Sequence, residues 1–370
     1  MFQKPLDKAL KNINTIRLVL QTNKKLRIIL SKTTNPELVV LQENAPKFDD
    51  WEEYENCSVV TRLYAIYESF VENLITEWIR NLPSLFSKYS DLSERIKTTH
   101  QEGISKLLNE LLKEKSRFKD TVFLQDISQS FYSCIANESK YQLISEAFVL
   151  YSQNLRSQEL GELLTKAGIS PVKPVKKDSK NLSAWNWIAK HRNIKKIVEN
   201  QKDVENETRE RLDKLIDDRN NAAHRDIIYT ILSVDELVDL CNVVESLCQA
   251  LAEFAYFAVI NRKIAIGQVK RIGKTTNWLS NQKVLYANIC QPPLSIGDEI
   301  FLLSSTKSYC KSATIEEIRD EEGMPQERIE AIEGVEKRDI SVKLDTDACK
   351  GLDIYIAALD INEESDIDRY

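Results

Sequence analysis

The distribution of glycine constrains this chain more than any other feature. Of its nine glycines, only Gly103, Gly161 and Gly168 precede residue 267, and the other six lie between Gly267 and Gly351. Scarce glycine with apolar residues recurring every three to four positions argues for long helices, whereas glycine at turns between β-branched alternations argues for strands. The periodicity predicts helices near 5–31, 51–81, 91–115, 124–136, 139–152, 157–167, 183–199, 202–218 and 233–262. In "VVTRLYAIYESFVENLITEWI", Leu63, Ile66, Tyr67, Phe70, Leu74, Ile75 and Trp78 share one broad apolar face. From Ile264 the pattern changes to the short alternating runs "AIGQVKRI", "KVLYANI", "DEIFLLSS", "ATIEEIR", "RDISVKL" and "DIYIAAL". These read as a small antiparallel β-barrel or sandwich. The expected fold is mainly α, a helical bundle with extra helices, followed by a small C-terminal antiparallel β-barrel. Its expected divisions are an N-terminal helical extension (1–54), a helical domain (55–263), the barrel (264–360) and an acidic tail (361–370).

Composition narrows the function classes. With 42% hydrophobic and 29% charged residues over 370 positions, the chain reads as a globular protein with ample core. A formal net charge of −6 gives no global sign of a nucleic-acid binder, so any basic surface must be local. No apolar run approaches the roughly 20 residues of a membrane span, and "MFQKPLDKALKNI" lacks the apolar core of a secretion signal. The seven cysteines are scattered, with no CxxC pair, as expected of reduced thiols in a cytoplasmic protein. His100 and His191 have no ligand-type neighbours at metal spacing, so neither a metal nor a cofactor is expected.

One segment is locally basic. In "PVKPVKKDSKNLSAWNWIAKHRNIKK", Lys173, Lys176, Lys177, Lys180, Lys190, Arg192, Lys195 and Lys196 stand against Asp178 alone, with Trp185 and Trp187 interleaved. Such lysines and arginines can contact a phosphate backbone, and Lys173, Lys176, Lys177, Lys190, Arg192, Lys195 and Lys196 are the candidate RNA contacts. The same pattern also fits a solvated loop followed by a helix whose tryptophans are core, and core is the favoured reading of the tryptophans. "GKTT" at Gly273 to Thr276 fails as a phosphate loop, because Gln268 stands where the first glycine is required. It reads as a β-turn.

The stretch "LIDDRNNAAHRD" sits badly between two helical patterns, because Asp and Asn compete for the backbone's hydrogen bonds in a helix interior. It carries Arg219 and His224. An arginine can stabilise charge on a phosphorus, and a histidine can exchange a proton near neutral pH. Together they suffice for RNA cleavage without a metal, the neighbouring 2′-OH of the RNA being the nucleophile. On a regular helix, residues five apart diverge by roughly 140°. Either the Asp/Asn-rich sequence breaks or kinks the helix, or two copies of the chain pool their residues about a two-fold axis. The bland alternative is a helix cap at Asn220 or Asn221 with an Arg–Asp surface pair.

"DDRNNAAH" resembles the signature of the HEPN superfamily, an Arg followed after a few residues by His, with a polar residue, here Asn220, directly after the Arg. The order of "RLYAIYESFVENLITEW", then "SEAFVLYSQNLRSQELGELLTKAGIS", a Trp-containing helix and the motif helix is similar to the MAE-like and RiboL-PSP groups. Their "NLR…LL…GI" pattern falls at Asn154 to Ile169, and the resemblance covers roughly residues 55–262. It implies a dimeric, metal-independent ribonuclease of a toxin–antitoxin or phage-defence system, with Arg219, His224, Asn220 and, on the early helix, Glu68 at the site. A cognate antitoxin or sensor protein is an expected partner. The superfamily also implies two alternatives, a non-catalytic interaction module or a pocket modified by a partner enzyme.

The C-terminal runs resemble the second β-barrel domain of translation GTPases, with Gly297 and Asp298 turning into a strand, Gly334 before another, and Gly351 as a closing glycine. That resemblance implies contact with tRNA or other translation-associated RNA. No GTPase domain accompanies the barrel, and a protein-docking role fits the pattern equally.

Overall fold

The computed structural model describes residues 1–151, 154–169, 183–198, 203–224, 231–290, 293–329 and 338–358, and of His224 the backbone alone. They form two compact units, Met1–Ala255 and Tyr256–Tyr370. The fold is mainly helical with a C-terminal antiparallel barrel, as the glycine pattern predicts.

The helical unit is built on α3 (Phe48–Leu85), α9 (Val204–His224) and α10 (Val234–Ala265), whose last turns enter the second unit. All seven residues of the predicted α3 face are buried. In α10, Leu237, Cys241, Val244, Leu247, Cys248 and Leu251 are each at most 1% exposed. By length and composition α10 passes as a membrane span, which the sequence reading missed, yet 78% of its most apolar window is buried within the protein. At the N-terminus, α1 (Gln3–Lys32) packs Ile13, Ile16 and Leu20 inward. It is fastened to α3 by a buried ion pair, Arg27 to Glu55 at 2.8 Å, whose carboxylate also accepts from Asn23. The short α2 (Pro36–Asn44), capped by Asn35 with proline in its first turn, is absent from the sequence expectation.

Four departures from the predicted elements have local causes. Among the described residues of 139–152 no α-helix forms; only a 3₁₀ turn does, at Ser145–Phe148. Its backbone groups are taken by side chains instead of a helical ladder. The Gln142 carbonyl accepts from the Ser130 hydroxyl, and the Ile144 N–H donates to His100 Nε2 at 3.2 Å. The segment lies so close to α4 (Glu94–Leu111) that a Cβ on Gly103 would sit 2.1 Å from the Ala147 carbonyl oxygen. Second, the predicted helix at 183–199 is two helices, α7 (Ala184–Lys190) and α8 (Arg192–Ile197). His191 is extended between them (ψ 135°), its ring buried with Nε2 3.5 Å from Glu253. Third, α9 continues to His224, well past residue 218. The remaining helices, α5 (Leu124–Ile135) and α6 (Ser157–Lys166), form close to where they are predicted.

The fourth concerns the barrel. Its six strands are β1 (Val269–Leu279), β2 (Val284–Ile289), β4 (Glu299–Ser304), β5 (Tyr309–Arg319), β8 (Arg338–Leu344) and β9 (Asp353–Ala357). They pair in the order β4-β9-β1-β2-β8-β5, and β5 closes back on β4. Two-residue strands β3 (Leu294–Ser295) and β7 (Arg328–Ile329) pair with each other, and β6 (Pro325–Gln326) pairs antiparallel with the end of β5. Ile272, Leu285, Leu302, Ile315, Val342 and Ile354 fill the interior. The GKTT segment is not a turn. It lies inside β1, where the register with β9 shifts beside Gly273 and where a Cβ on that residue would sit 2.3 Å from the Asn288 carbonyl oxygen of β2. Gly297 and Gly351 take left-handed backbone (φ 91° and 81°) at turns. Gly334 lies outside the described residues.

His100 makes the helical unit sensitive to acid. Because Nε2 accepts from Ile144, the ring proton sits on Nδ1, beside the Tyr89 hydroxyl at 3.3 Å, and Phe148 stacks on the ring. Burial lowers its pKa to about 4. The unfolded chain therefore takes up this proton first, so stability is complete above the ordinary pKa of 6.5 and is lost as pH falls toward 4. By pH 4 this loss should reach roughly 3 kcal/mol. Urea unfolding at pH 7 and pH 4 checks it: His100→Gln, which keeps an acceptor for Ile144, should lose less stability between the two than the parent protein. Equal losses would remove His100 as the cause.

Candidate active site around Arg219

The Asp/Asn-rich motif is an unbroken part of α9. Neither a break nor a cap at Asn220 or Asn221 forms, and most of the polar side chains that would compete with the helix backbone bond elsewhere. Asp213 accepts from both the N–H (2.7 Å) and the hydroxyl (2.8 Å) of Ser157, at the first turn of α6. Asp217 pairs with Arg156. Asn220 Oδ1 accepts from Asn154 Nδ2 at 3.1 Å. Asp218 pairs with Lys214 one turn back at 2.7 Å. Positions 213, 217 and 220 are four and three apart, so they line one side of the helix. Against that side run residues 154–157, the "NLRS" of the sequence.

Arg219 lies where this clamp meets α3. Its guanidinium stands 5.1 Å above the Tyr64 ring, and Nη1 donates to Asn220 Oδ1 at 3.0 Å. Among the described residues no carboxylate pairs with Arg219, and its Nε is buried without a hydrogen-bond partner. Its neighbours Arg156, Arg209 and Arg211 each hold an acidic partner. The Tyr64 hydroxyl accepts from the Leu155 N–H (3.2 Å) and donates to Glu68 Oε1 (2.9 Å), with Asn154 Oδ1 at 3.4 Å. Burial pushes the Tyr64 phenol well above its ordinary pKa, and Glu68 adds to this against the opposing pull of Leu155 and Arg219. The phenol therefore stays protonated near neutral pH, and Glu68 keeps its hydrogen bond.

The polar stripe continues along α3. Tyr64, Glu68 and Glu72 recur every four residues on one face. Glu72 accepts from the Tyr151 hydroxyl at 2.8 Å and pairs with Arg117 at 2.9 Å, and Arg117 also donates to the Val149 carbonyl. The described part of the site is thus a cation without a carboxylate partner, beside an aromatic face and two amides, backed by Glu68.

Of the residues the sequence singles out, Arg219, Asn220 and Glu68 come together. His224 is the last residue of α9. Lys173, Lys176 and Lys177 lie outside the described residues. Lys190, Arg192, Lys195 and Lys196 belong to α7 and α8, and the Trp185 of α7 packs under Arg209 at 4.5 Å. Arg209 is ten residues before Arg219, about 15 Å along the helix, so this basic group lies toward the other end of α9. Trp185 and Trp187 are core, 3% and 0% exposed, and present no ring to a base. Tyr64 and Asn154 were not among the candidates. Their signal lay in a tyrosine one turn before Glu68 and in the amide that opens "NLR".

The RiboL-PSP-HEPN family profile matches residues 36–256. No protein of curated function matches the chain. Among solved structures it is similar to the C-terminal domain of a Geobacillus thermoleovorans protein named as a U32 peptidase. The selenomethionine form is 13% identical, covering 23% of this chain and 96% of that one with a TM-score of 0.20. The other form is 15% identical, covering 22% and 86% with a TM-score of 0.19.

The clamp makes a prediction of its own. Asp213 supplies the first turn of α6 with an acceptor from another helix, the role a capping residue usually fills. Asp213→Ala should cost about 0.5–2 kcal/mol in a denaturant titration. Amide exchange should rise first in the opening turn of α6; exchange that rises evenly across the helical unit would count against a local cap.

Proposed function

The chain belongs to the RiboL-PSP-HEPN family, and from that premise we propose that it is a metal-independent endoribonuclease. It acts as a homodimer, as a toxin or phage-defence effector. One observation carries the reading: Arg219 is a fixed, partly buried cation with no carboxylate partner among the described residues, on an unbroken helix that ends in His224. An uncompensated guanidinium held against a tyrosine face suits an anion supplied from outside, and a phosphate diester is the anion that a histidine could also help to cleave.

In the proposed reaction, the 2′-OH of the RNA loses its proton as its oxygen bonds to the adjacent phosphorus. Arg219 stabilises the added negative charge on the phosphorane. The bond from phosphorus to the 5′-oxygen then breaks, and that oxygen takes up a proton. His224 serves as the proton-transfer group. The products are a 2′,3′-cyclic phosphate and a 5′-OH end. Because α9 is continuous, positions 219 and 224 of one chain lie about 140° apart around its axis. Each reaction centre therefore draws Arg219 and His224 from different copies about a two-fold axis.

Arg219→Ala and His224→Ala should each lower cleavage by about 100- to 10,000-fold while the protein stays folded. Total RNA in the presence of EDTA provides the assay, with analysis of the product ends. Both variants cleaving at the parental rate would overturn the nuclease reading and leave an interaction module. Strict dependence on magnesium would overturn the mechanism.

Mixing the two inactive variants tests the shared site. Random reassociation pairs half of the chains into heterodimers with one intact centre each, so roughly a quarter of the parental activity should return. No recovery, with exchange of subunits demonstrated, would place Arg219 and His224 of the same chain in one centre.

A further inference from the structure

We propose that Asn154 is a positioning residue for Arg219: its amide fixes the guanidinium through Asn220, and this is why the clamp between residues 154–157 and α9 extends as far as the motif. The inference rests on the role of Arg219 proposed above.

The chemistry of the donors sets the arrangement. A guanidinium has donors and no acceptor, so Asn220 must turn its oxygen toward Arg219. Adjacent residues on a helix do not face each other, so the Asn220 amide has to be held in that orientation by something off the helix. Asn154 Nδ2 does so, donating to the same oxygen at 3.1 Å. Asn154 places its Oδ1 3.4 Å from the Tyr64 hydroxyl, whose one proton goes to the nearer Glu68. Its backbone neighbour Leu155 is fully buried, donating to the Tyr64 hydroxyl and accepting from the Tyr67 hydroxyl at 3.1 Å. Tyr64 therefore holds both the loop and the guanidinium, one through its hydroxyl and the other through its ring.

Two of the three rungs fix the loop on α9 without touching Arg219: Ser157 on Asp213 and Arg156 on Asp217. Asn154 to Asn220 is the rung that meets the arginine's own partner. An amide is required at 154. Aspartate there would set a carboxylate against the Asn220 oxygen and beside the arginine that shares it, giving Arg219 the neutralising partner it lacks among the described residues.

The test compares Asn154→Ala and Asn154→Asp with the parent protein in three readouts: thermal melting, steady-state cleavage of RNA, and NMR of the Arg219 Nε–Hε group. A group that acts by aiming another should lower kcat with little change in KM. Asn154→Ala is expected to lower kcat by about 10- to 100-fold, with an unchanged melting temperature and faster rotation of the guanidinium. Asn154→Asp is expected to fall further, toward Arg219→Ala, while still folded. Parental kcat in Asn154→Ala, or a loss of activity that merely follows a lowered melting temperature in both variants, overturns the proposal. The NMR readout does not depend on cleavage. Were the parent protein inactive on RNA, the nuclease reading would fail alone, and unchanged guanidinium rotation in both variants would be the result that removes the role of Asn154.

Discussion

The helical unit's functional geometry depends on one constraint, the clamp of residues 154–157 along α9. Three side chains of α9, at 213, 217 and 220, bond to the end of a loop and the first residue of α6 instead of to solvent. That settles two things together. It gives the polar residues of the motif partners that leave the helix backbone undisturbed, so the helix runs through a sequence that would otherwise break it. It also fixes which way α9 faces, and so brings Arg219 over Tyr64. Without the clamp, "DDRNNAAH" would have reason to cap, kink or fray.

Polar groups inside this unit divide into two kinds. His100, Arg27 and Glu55 are buried and have their partners: an N–H and a tyrosine hydroxyl for His100, and each other for Arg27 and Glu55. Removing one partner would strand the other, so they hold the fold and are not free for chemistry. Arg219 is the opposite case. It is held by a ring and an amide, which orient it, and by no carboxylate among the described residues, which would neutralise it. Orientation without neutralisation is what an anion site requires.

The barrel shows a separate logic. Closure of β4 onto β5 leaves no open edge among its six strands, so the backbone's donors and acceptors are satisfied within a small unit. Strand β4 is buried on both sides, Ile300 and Leu302 inward and Phe301 and Leu303 outward, with Phe301 beside Tyr256 of α10. On the barrel's outside, Arg271 pairs with Asp353 and Lys343 with Glu316 across neighbouring strands.

The sequence by itself determined the mainly helical body, the change to strands after Ile264, all six barrel strands, the apolar face of α3 and the presence of Arg219 beside Asn220. Each of these follows from local periodicity, glycine placement or residue type, which act over a few positions. It placed Trp185 and Trp187 in the core for the same reason. Tertiary structure decided the rest. The segment 139–152 has helical periodicity, but its backbone is bound by Ser130 and His100 and pressed against Gly103. "GKTT" has the composition of a turn, but the pairing of β1 with β2 and β9 holds it in a strand. The motif has the composition of a helix end, yet residues 154–157, more than fifty positions earlier, supply the bonds that keep it helical. Tyr64 and Asn154 were hidden for the same physical reason. What makes them matter is a hydrogen bond to a residue distant in the chain, and no local pattern records which distant residue a side chain will meet.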